Sequence, residues 1–376
     1  MVEWEEAKTS ISRNLMVWLQ LPRKNDIFKC FRISLGTPRQ RKTNWLDLDL
    51  RKTFDSPLKV HLTHVVFQET LHPKILDLML SWLKKCNTSH SECTHLSTRL
   101  VPLPTRVLDV STLPGPEQML GKQPIWREQF QDGKCKLLQT TKGQTGLYVA
   151  LSYCWGTSLP LKTTTINLQA HESAIRFDKL PQTLQDVIMI VRYIGIRYVW
   201  IDCLCILQDS KADWEHEAAR MADVYSNAYL TVAASRAKHC EEGFLGLRSR
   251  DRPICINLED EEGSFELYIQ KLSMAEGECL QALDRRGWAA QESLLSHRVL
   301  SFNEDQMTWG CAQNDETEES NPLGIYITLD YGSSTSWKVF CGAWKWEWVR
   351  VKEWKDILEH RGDDRNGLLR RGLGHL

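Results

Sequence analysis

Residues 198–209 read YVWIDCLCILQD, a run of strand-forming residues that an aspartate and two cysteines interrupt. β-Branched and aromatic residues of this kind are typical of a buried strand, and we predict one strand over residues 196–207. LYVALSYCWG at 147–156 and AYLTVAAS at 228–235 have the same apolar character. The sequence therefore predicts three buried strands in this part of the chain.

Helical patterns separate the three predicted strands. LPQTLQDVIMIVRYIG (180–195) has a proline near its start, apolar residues at helical spacing and a glycine at its end. ADWEHEAARMADVYSN (212–227) is predicted to form a second helix, with Trp214, Ala218, Met221 and Tyr225 in one stripe. Strands that alternate with helices indicate an α/β fold, with a parallel sheet flanked by helices. Ligands bind at the carboxyl ends of such strands, so CWGTS, CILQDS and ASRAKHCEE are predicted to share one ligand-facing rim.

The composition is that of a globular protein. The 376 residues are 42% hydrophobic and 25% charged, and the formal net charge is −1. This balance predicts no nucleic-acid partner. The N-terminal sequence lacks a secretion signal, and no window is apolar enough to span a membrane. We expect a cytoplasmic protein whose 12 cysteines are mostly thiols.

Three regions are expected along the chain. Residues 1–120 form an N-terminal region with a predicted helix in TLHPKILDLMLSWLKKCN (70–87). Residues 147–292 form the α/β core, and residues 293–376 form a smaller strand-rich extension with a frayed end. In this extension RVLSF and QMTWGC are predicted to pair as a hairpin, and GAWKWEWVRV to form a strand.

The predicted ligand rim contains aromatic and polar side chains. Asp202 lies near the end of its strand, where it can accept hydrogen bonds from backbone N–H groups of the adjacent loop or orient a ligand. Cys203 and Cys205 alternate onto the opposite, apolar face and are interpreted as small buried hydrophobic residues. The residues that we assign to the rim are Tyr153, Trp155, Asp202, Gln208, Asp209 and Trp214.

Glu217 is the first candidate for a catalytic carboxylate. Its helical spacing from Trp214 and Met221 places it on the face that should be buried, where a charge must be paired or face a cleft. One interpretation is a structural ion pair with Arg220 or Arg192. The other is a carboxylate that stabilises a developing oxocarbenium ion, as glycosyl transfer requires.

Two further clusters carry chemistry. Arg286, Trp288 and Glu292 begin a helix that either packs against the sheet or completes the rim. A more local cluster has the spacing C-x3-H-x2-C-x-H and residue types that bind zinc, although polar residues are also common at a helix end. Its members are Cys86, His90, Cys93 and His95. No Walker loop, GxGxxG, GxSxG or HExxH motif is present.

Several segments together resemble the fungal heterokaryon-incompatibility (HET) domain. They are, in chain order, YVALSYCWG, LPQTLQDVI, GIRYVWIDCLCILQD, DWEHEAARMADVYSNAYLTVAAS and RGWAAQESLLSHRVLSF. The resemblance covers roughly residues 148–292. The preceding WLKKCNTSHSECTH looks like the usual lead-in to that domain, whereas the tail beyond about residue 312 departs from the pattern.

The resemblance implies a role in fungal non-self recognition, where HET domains trigger programmed cell death. It also implies kinship with the Toll/interleukin-1 receptor (TIR) fold, a flavodoxin-like α/β domain. Some TIR domains cleave NAD through a glutamate after the third strand, which would make Glu241 and Glu242 alternatives to Glu217. NAD would then be a substrate, with no cofactor required. Other members are assembly modules, which implies protein partners or homotypic assembly.

Overall fold

The computed structural model describes a mixed α/β protein. The residues described are 4–12, 15–22, 30–36, 46–52, 63–93, 100–115, 126–157, 161–250, 252–260, 263–271, 281–319, 327–328, 336–341 and 344–349. The chain divides into two compact units. The first consists of Met1–Met79, Leu247–Gly277 and Glu318–Asn321, and the second of Leu80–Gly246, Glu278–Thr317 and Pro322–Leu376. The predicted frayed C-terminal end lies outside the described residues.

The first unit contains a seven-stranded sheet. Its strands are β1 (Trp4–Ser12), β2 (Leu15–Pro22), β3 (Cys30–Gly36), β4 (Leu46–Lys52), β5 (Thr63–His64), β14 (Ile254–Asp260) and β15 (Gly263–Lys271). Successive strands β1 to β4 pair antiparallel, and β15 joins β4 to β14. Strands β1 to β5 were not predicted from the sequence, because their mixed composition shows little alternation.

The second unit contains a nine-stranded sheet in the order β11-β8-β7-β12-β10-β13-β16-β17-β18. Its strands are β7 (Arg106–Asp109), β8 (Lys134–Gln139), β10 (Tyr148–Ser152), β11 (Ile175–Arg176), β12 (Tyr198–Trp200), β13 (Leu230–Ala233), β16 (Arg298–Phe302), β17 (Met307–Cys311) and β18 (Asp315–Thr317). Smaller sheets are formed by β6 (Val101–Pro102) with β9 (Thr145–Gly146), and by β19 (Ile327–Thr328), β20 (Ser336–Cys341) and β21 (Trp344–Val349).

The three strands predicted for the core are adjacent and parallel. β10 pairs with β12 on one side and with β13 on the other, and β13 pairs in parallel with β16. The remaining pairs of this nine-stranded sheet are antiparallel, including the predicted hairpin of β16 and β17. The chain leaves β10 for β12 and then returns past β10 to β13. The strand order therefore reverses at β10, which is where open α/β sheets bind ligands.

The described residues contain eight α-helices and two short 3-10 helices. The α-helices are α1 (Pro73–Ser89), α2 (Trp126–Phe130), α3 (Leu168–Ser173), α4 (Gln182–Tyr193), α5 (Asp202–Cys205), α6 (Lys211–Ala218), α7 (Met221–Asn227) and α8 (Gly287–Leu295). The 3-10 helices span Phe177–Lys179 and Leu283–Arg285. Helices α1 and α4 confirm the two helices predicted over residues 70–87 and 180–195. Gly195, which has a φ of 79°, follows the end of α4. None of these helices is both long and apolar enough to cross a membrane.

The prediction of one strand over residues 196–207 was wrong in its second half. β12 ends at Trp200, and Asp202–Cys205 form the helical turn α5. The Asp202 carboxylate accepts a hydrogen bond from the Cys203 backbone N–H at 2.6 Å. Such local bonds compete with strand pairing. The inferred alternation of faces therefore stops at Trp200, although both cysteines of the turn are fully buried as expected.

The prediction of one helix over residues 212–227 was also wrong. The chain forms α6 and α7, and the break lies at Arg220, whose backbone (φ −104°, ψ 0°) is not helical. The predicted stripe of four residues is not a buried face, because Trp214 is 50% exposed while Tyr225 is 2% exposed. α6 begins at Lys211, after an N-cap at Ser210 whose hydroxyl accepts from the Asp213 N–H at 3.3 Å.

Candidate functional site

The candidate site lies where the parallel strands end. β10 ends at Ser152, β12 at Trp200 and β13 at Ala233, so the residues that follow them gather at one edge of the sheet. The loop after β10 is held to the loop after β13, because the Cys240 N–H donates to the Trp155 carbonyl at 3.3 Å. Two of the three predicted rim segments are therefore linked directly by backbone contact.

Asp202 is the first carboxyl group of this site. One carboxylate oxygen accepts from the Trp155 indole N–H at 2.9 Å and the other from the Cys203 backbone N–H at 2.6 Å. Burial raises the pKa of Asp202, while the positive charge of Arg286 and these two hydrogen bonds oppose the rise. Asp202 thus contacts the loop after β10 through the Trp155 indole, and not through the backbone N–H groups of that loop that the sequence suggested.

Glu292 is the second carboxyl group. It projects from α8, is 7% exposed and accepts a hydrogen bond from the Ser152 hydroxyl at the end of β10. The pKa of Glu292 is raised, mainly by burial and also by the negative charge of Asp202. The hydrogen bond from the Ser152 hydroxyl and the positive charge of Arg286 lower the pKa and so limit the rise. Glu292 thus lies at the end of β10, and the interpretation that its helix completes a ligand rim stays a prediction.

Arg286 supplies a positive charge to both carboxyl groups. It is the N-cap residue of α8 and is half-buried. Its charge acts on Asp202 and on Glu292, yet no carboxylate oxygen of the described residues lies within 4.0 Å of its guanidinium nitrogens. A guanidinium that is near two acids and bound tightly to neither retains N–H donors for a ligand.

The remaining rim residues have different surroundings. Tyr153 is buried, and its hydroxyl has no hydrogen-bond partner among the described residues. Gln208 donates to the Asp202 carbonyl at 3.1 Å, while Asp209 accepts from the Thr165 N–H at 2.9 Å. These two residues position loops in the structure, and their assignment to the ligand rim stays a prediction. Trp214 on α6 is exposed and makes no described contact with Asp202.

Glu217 lies in a separate cluster of charges. It is 1% exposed, and its Oε1 atom lies 4.0 Å from Arg106 Nη2 and 4.0 Å from His216 Nε2. Arg106 is also buried, and it donates to the Cys205 carbonyl at 2.7 Å and to the Asp213 carboxylate. The predicted burial of Glu217 is confirmed, and its cation is Arg106 rather than Arg220 or Arg192. No described contact joins Glu217 to Asp202, Glu292 or Arg286, and its catalytic role stays a prediction.

The alternatives after the third strand are exposed. Glu241 and Glu242 both face solvent, and Glu242 accepts from the Lys238 backbone N–H at 2.6 Å. Trp288 is 44% exposed at the start of α8. Cys154, in the loop after β10, is buried, and burial raises the pKa of its thiol. A raised thiol pKa is the opposite of what a nucleophilic cysteine needs.

A second group of candidate residues is brought together elsewhere in the same unit. Cys86, His90 and Cys93 meet the Cys311 thiol, so that the four ligand atoms lie within 4.8 Å of one another. His95, the fourth member predicted from sequence, lies outside the described residues. These residues are the ones that could hold a metal ion.

A described surface cavity lies away from both clusters. Its volume is about 530 Å³, and it carries Asp132 and Arg192 but no aromatic side chain. It is lined by Ser111, Thr112, Leu113, Pro114, Gly115, Gln129, Asp132, Gly133 and Arg192. It therefore lacks the pairing of a carboxylate with an aromatic face that we expect of an enzyme site for a flat ligand.

Sequence reasoning missed several residues of these clusters. The Ser152 hydroxyl donates to Glu292, Arg106 Nη2 lies 4.0 Å from Glu217, and Cys311 completes the cysteine cluster. A serine at the end of an otherwise apolar strand was a usable signal for Ser152. Arg106 and Cys311 gave no such signal, because each of them contacts residues that are far away in the sequence.

The fold and the site together define a mixed α/β domain with a pair of carboxyl groups and an arginine at the reversal point of its parallel strands. Residues 148–292 match the family model described as heterokaryon incompatibility protein (HET), so this segment is a HET domain. The match confirms the resemblance seen in the sequence, and it ends at Glu292. No curated protein and no solved structure matches the chain.

Proposed function

We propose that this protein acts in fungal non-self recognition as a trigger of programmed cell death, and that its HET domain cleaves NAD at the edge formed by β10, β12 and β13. The HET match supports the first part of the proposal. The order of the four parallel strands, with β10 between β12 and β13, supports kinship with flavodoxin-like and TIR-like sheets. The proposal places the protein in the cytoplasm, where it meets activating protein partners.

The observation that carries the enzymatic part is the group of Asp202, Glu292 and Arg286. Both carboxyl groups have raised pKa values for reasons of burial, and one cation acts on both. Perturbed carboxyl groups that share one place in a fold are typical of functional sites. Trp155 adds a half-buried indole that hydrogen-bonds Asp202 and suits a flat ring such as nicotinamide.

These residues can perform the chemistry of N-glycoside hydrolysis. The bond between the ribose C1′ and the nicotinamide nitrogen breaks, and its electron pair leaves with nicotinamide as a neutral molecule. The positive charge that develops on the ribose is stabilised by an ionised carboxylate, for which we propose Glu292. Water then forms the new C1′–O bond, and its proton passes to the carboxyl pair or to solvent. Arg286 favours the ionised form of Glu292 and offers donors to the phosphates of NAD.

The test is the release of nicotinamide from NAD by the purified full-length chain. Glu292→Gln removes the carboxylate with little change of volume, and we expect it to lower the rate by about 10²- to 10⁴-fold. Glu217→Gln and Glu241→Gln are matched controls, because each makes the same chemical change in another glutamate. We expect both controls to retain most of the activity.

The outcomes separate the proposals. Loss of activity in Glu217→Gln or Glu241→Gln, with Glu292→Gln active, would move the catalytic site to that residue. No nicotinamide release by the wild type, at concentrations that promote self-association, would remove the enzymatic proposal.

A second candidate function is a non-enzymatic assembly module that works by homotypic contact. It is favoured by two exposed tryptophans, Trp214 on α6 and Trp288 on α8. Exposed aromatic side chains of this size are common at protein interfaces. Under this function, expression of the full chain in a fungal host would arrest growth equally in the wild type and in Glu292→Gln. Trp288→Ala would relieve the arrest.

A further inference from the structure

The cluster of three cysteines and one histidine draws its members from two distant parts of the chain. Cys86 lies in the last turn of α1, and His90 and Cys93 follow directly after the helix, whereas Cys311 is the last residue of β17. Cys86 and Cys93 are fully buried, His90 is 6% exposed, and Cys311 is half-buried. All four belong to the second unit of the chain.

The distances suit a tetrahedral metal ion. Zinc binds sulfur at about 2.3 Å and imidazole nitrogen at about 2.0–2.1 Å, which places the ligand atoms roughly 3.5–3.8 Å apart in a tetrahedron. The four ligand atoms lie within 4.8 Å of one another, and Cys311 Sγ lies 3.3 Å from His90 Nδ1. Shifts of less than about 1 Å would therefore bring them to the spacing that zinc requires.

The residue types also select zinc. Three thiolates and one imidazole form one of the common sets of structural zinc ligands, and with no fourth position left for water the site is closed. Soft sulfur ligands disfavour magnesium and calcium, which require oxygen. A disulfide is the competing explanation for close cysteines, but it would use two thiols and leave the third thiol and the imidazole unexplained.

Arg298 provides an independent observation. It is fully buried on β16, its Nη2 atom donates to the Cys93 carbonyl at 3.0 Å, and its charge acts on the Cys86 and Cys93 thiols. Its Nε and Nη1 atoms have no hydrogen-bond partner among the described residues, and no described carboxylate oxygen lies within 4.0 Å of its guanidinium nitrogens. A buried cation without a counter-charge is costly.

The thiolate complex of zinc would supply that counter-charge. A zinc ion bound by three thiolates and a neutral imidazole carries one net negative charge, which the Arg298 guanidinium would balance. The bond from Arg298 to the Cys93 carbonyl then acts as an outer-shell contact that orients one of the ligands. Arg298 also lies over the Tyr229 ring, with its Cζ 4.9 Å from the ring centroid, and the metal complex would add the negative charge that the described carboxylates do not provide.

We propose that Cys86, His90, Cys93 and Cys311 bind a structural zinc ion that joins the end of α1 to the β16–β17 hairpin. β16 is the fourth parallel strand and pairs with β13, so the ion would connect the segment that precedes the HET domain to the sheet that contains it. The site is independent of NAD cleavage and would be present in an assembly module as well as in an enzyme.

The test begins with the metal content of the full-length chain purified under reducing conditions. We expect one zinc ion per chain by mass spectrometry of the elements. Replacement by Co²⁺ should give the absorption of a tetrahedral site together with thiolate-to-cobalt charge-transfer bands. Both measurements use the wild type and do not depend on the folding of a variant.

Substitutions then assign the ligands. Cys311→Ser should lower the zinc content at least tenfold and weaken the charge-transfer bands, whereas Cys135→Ser, which changes another buried thiol in the same unit, should leave both unchanged. Wild-type protein without zinc, cobalt spectra without thiolate bands, or a disulfide between any two of the three cysteines after reducing purification would each overturn the proposal.

Discussion

At the scale of single residues, the candidate site depends on how burial and charge set the state of two carboxyl groups. Glu292 is buried and Asp202 is half-buried, and each accepts at least one hydrogen bond from the protein. Arg286 opposes the cost of ionising them without forming a close ion pair. A site of this kind can change its charge with pH or with a bound ligand, which a tight surface ion pair cannot do as readily.

The raised pKa of Glu292 makes a prediction about stability and pH. A carboxyl group whose pKa is higher in the folded than in the unfolded state makes the protein less stable as the pH rises above the unfolded pKa. Glu292→Gln removes this dependence. The difference in free energy of unfolding between Glu292→Gln and the wild type should therefore shift in favour of the variant as the pH rises above about 4.5, and then level off.

Chemical denaturation at a series of pH values measures this difference. Ser152, Tyr225, Asp202 and Arg286 face Glu292, and all are kept in both proteins. Glu241→Gln, in which the substituted side chain is exposed, is the control and should show no such trend. A difference that stays flat or moves in favour of the wild type would show that burial does not raise the pKa of Glu292.

At the scale of the elements, the turn after β10 places Trp155 beside Asp202. Gly156 follows Trp155 with a φ of 80°, and a Cβ atom added there would lie 2.2 Å from the Cβ of His239. Only glycine fits both the left-handed backbone and the close approach of the loop after β13. Gly156 therefore serves a tight turn at the end of this loop.

Alanine at this turn should be costly. Gly156→Ala combines a backbone strain of about 1–2 kcal/mol with an overpacking cost of about 1–3 kcal/mol. Gly143→Ala is the matched control, because Gly143 has a φ of 83° and nothing within 4 Å of the added Cβ. We expect Gly143→Ala to lose only the backbone part, as measured by denaturant unfolding. Equal losses in the two variants would mean that the loops after β10 and β13 do not touch.

The sequence predicted those elements whose signals are local. β10, β13, α1 and α4 were found because apolar periodicity and a proline or glycine at the ends mark them. The helical turn at Asp202 was missed because it depends on a hydrogen bond from the Cys203 backbone N–H to the Asp202 carboxylate. A single aspartate within an apolar run does not reveal such a bond in the sequence. The exposure of Trp214 was missed because a single helical periodicity was assumed for residues 212–227, although the helix is broken at Arg220.

The candidate site was predicted in part and for a similar reason. Asp202 and Trp155 were recognised because both were placed near the ends of predicted parallel strands. Glu292 and Arg286 were named, but no pattern in the sequence could show that α8 brings them to the same edge. The contact of Cys311 with Cys86 likewise depends on strand pairing late in the chain, whereas the local spacing pointed to His95 instead.

At the scale of the whole molecule, the sheet of the second unit extends beyond the matched HET segment. β7 and β8 precede residue 148, and β16, β17 and β18 follow residue 292. β12 and β13 of the matched segment therefore pair with strands from outside it, namely β7 and β16. The edge that carries Asp202 and Glu292 belongs to this larger sheet.

The central claim is that the reversal of the strand order at β10 forms a ligand site. The most direct measurement is a structure of the full chain with an NAD analogue whose ribose ring oxygen is replaced by carbon, so that it cannot be cleaved. We predict the nicotinamide ring against Trp155 and its sugar ring beside Glu292, with Arg286 near a phosphate. Binding beside Glu217 or Glu241, or no binding at any position, would contradict the account.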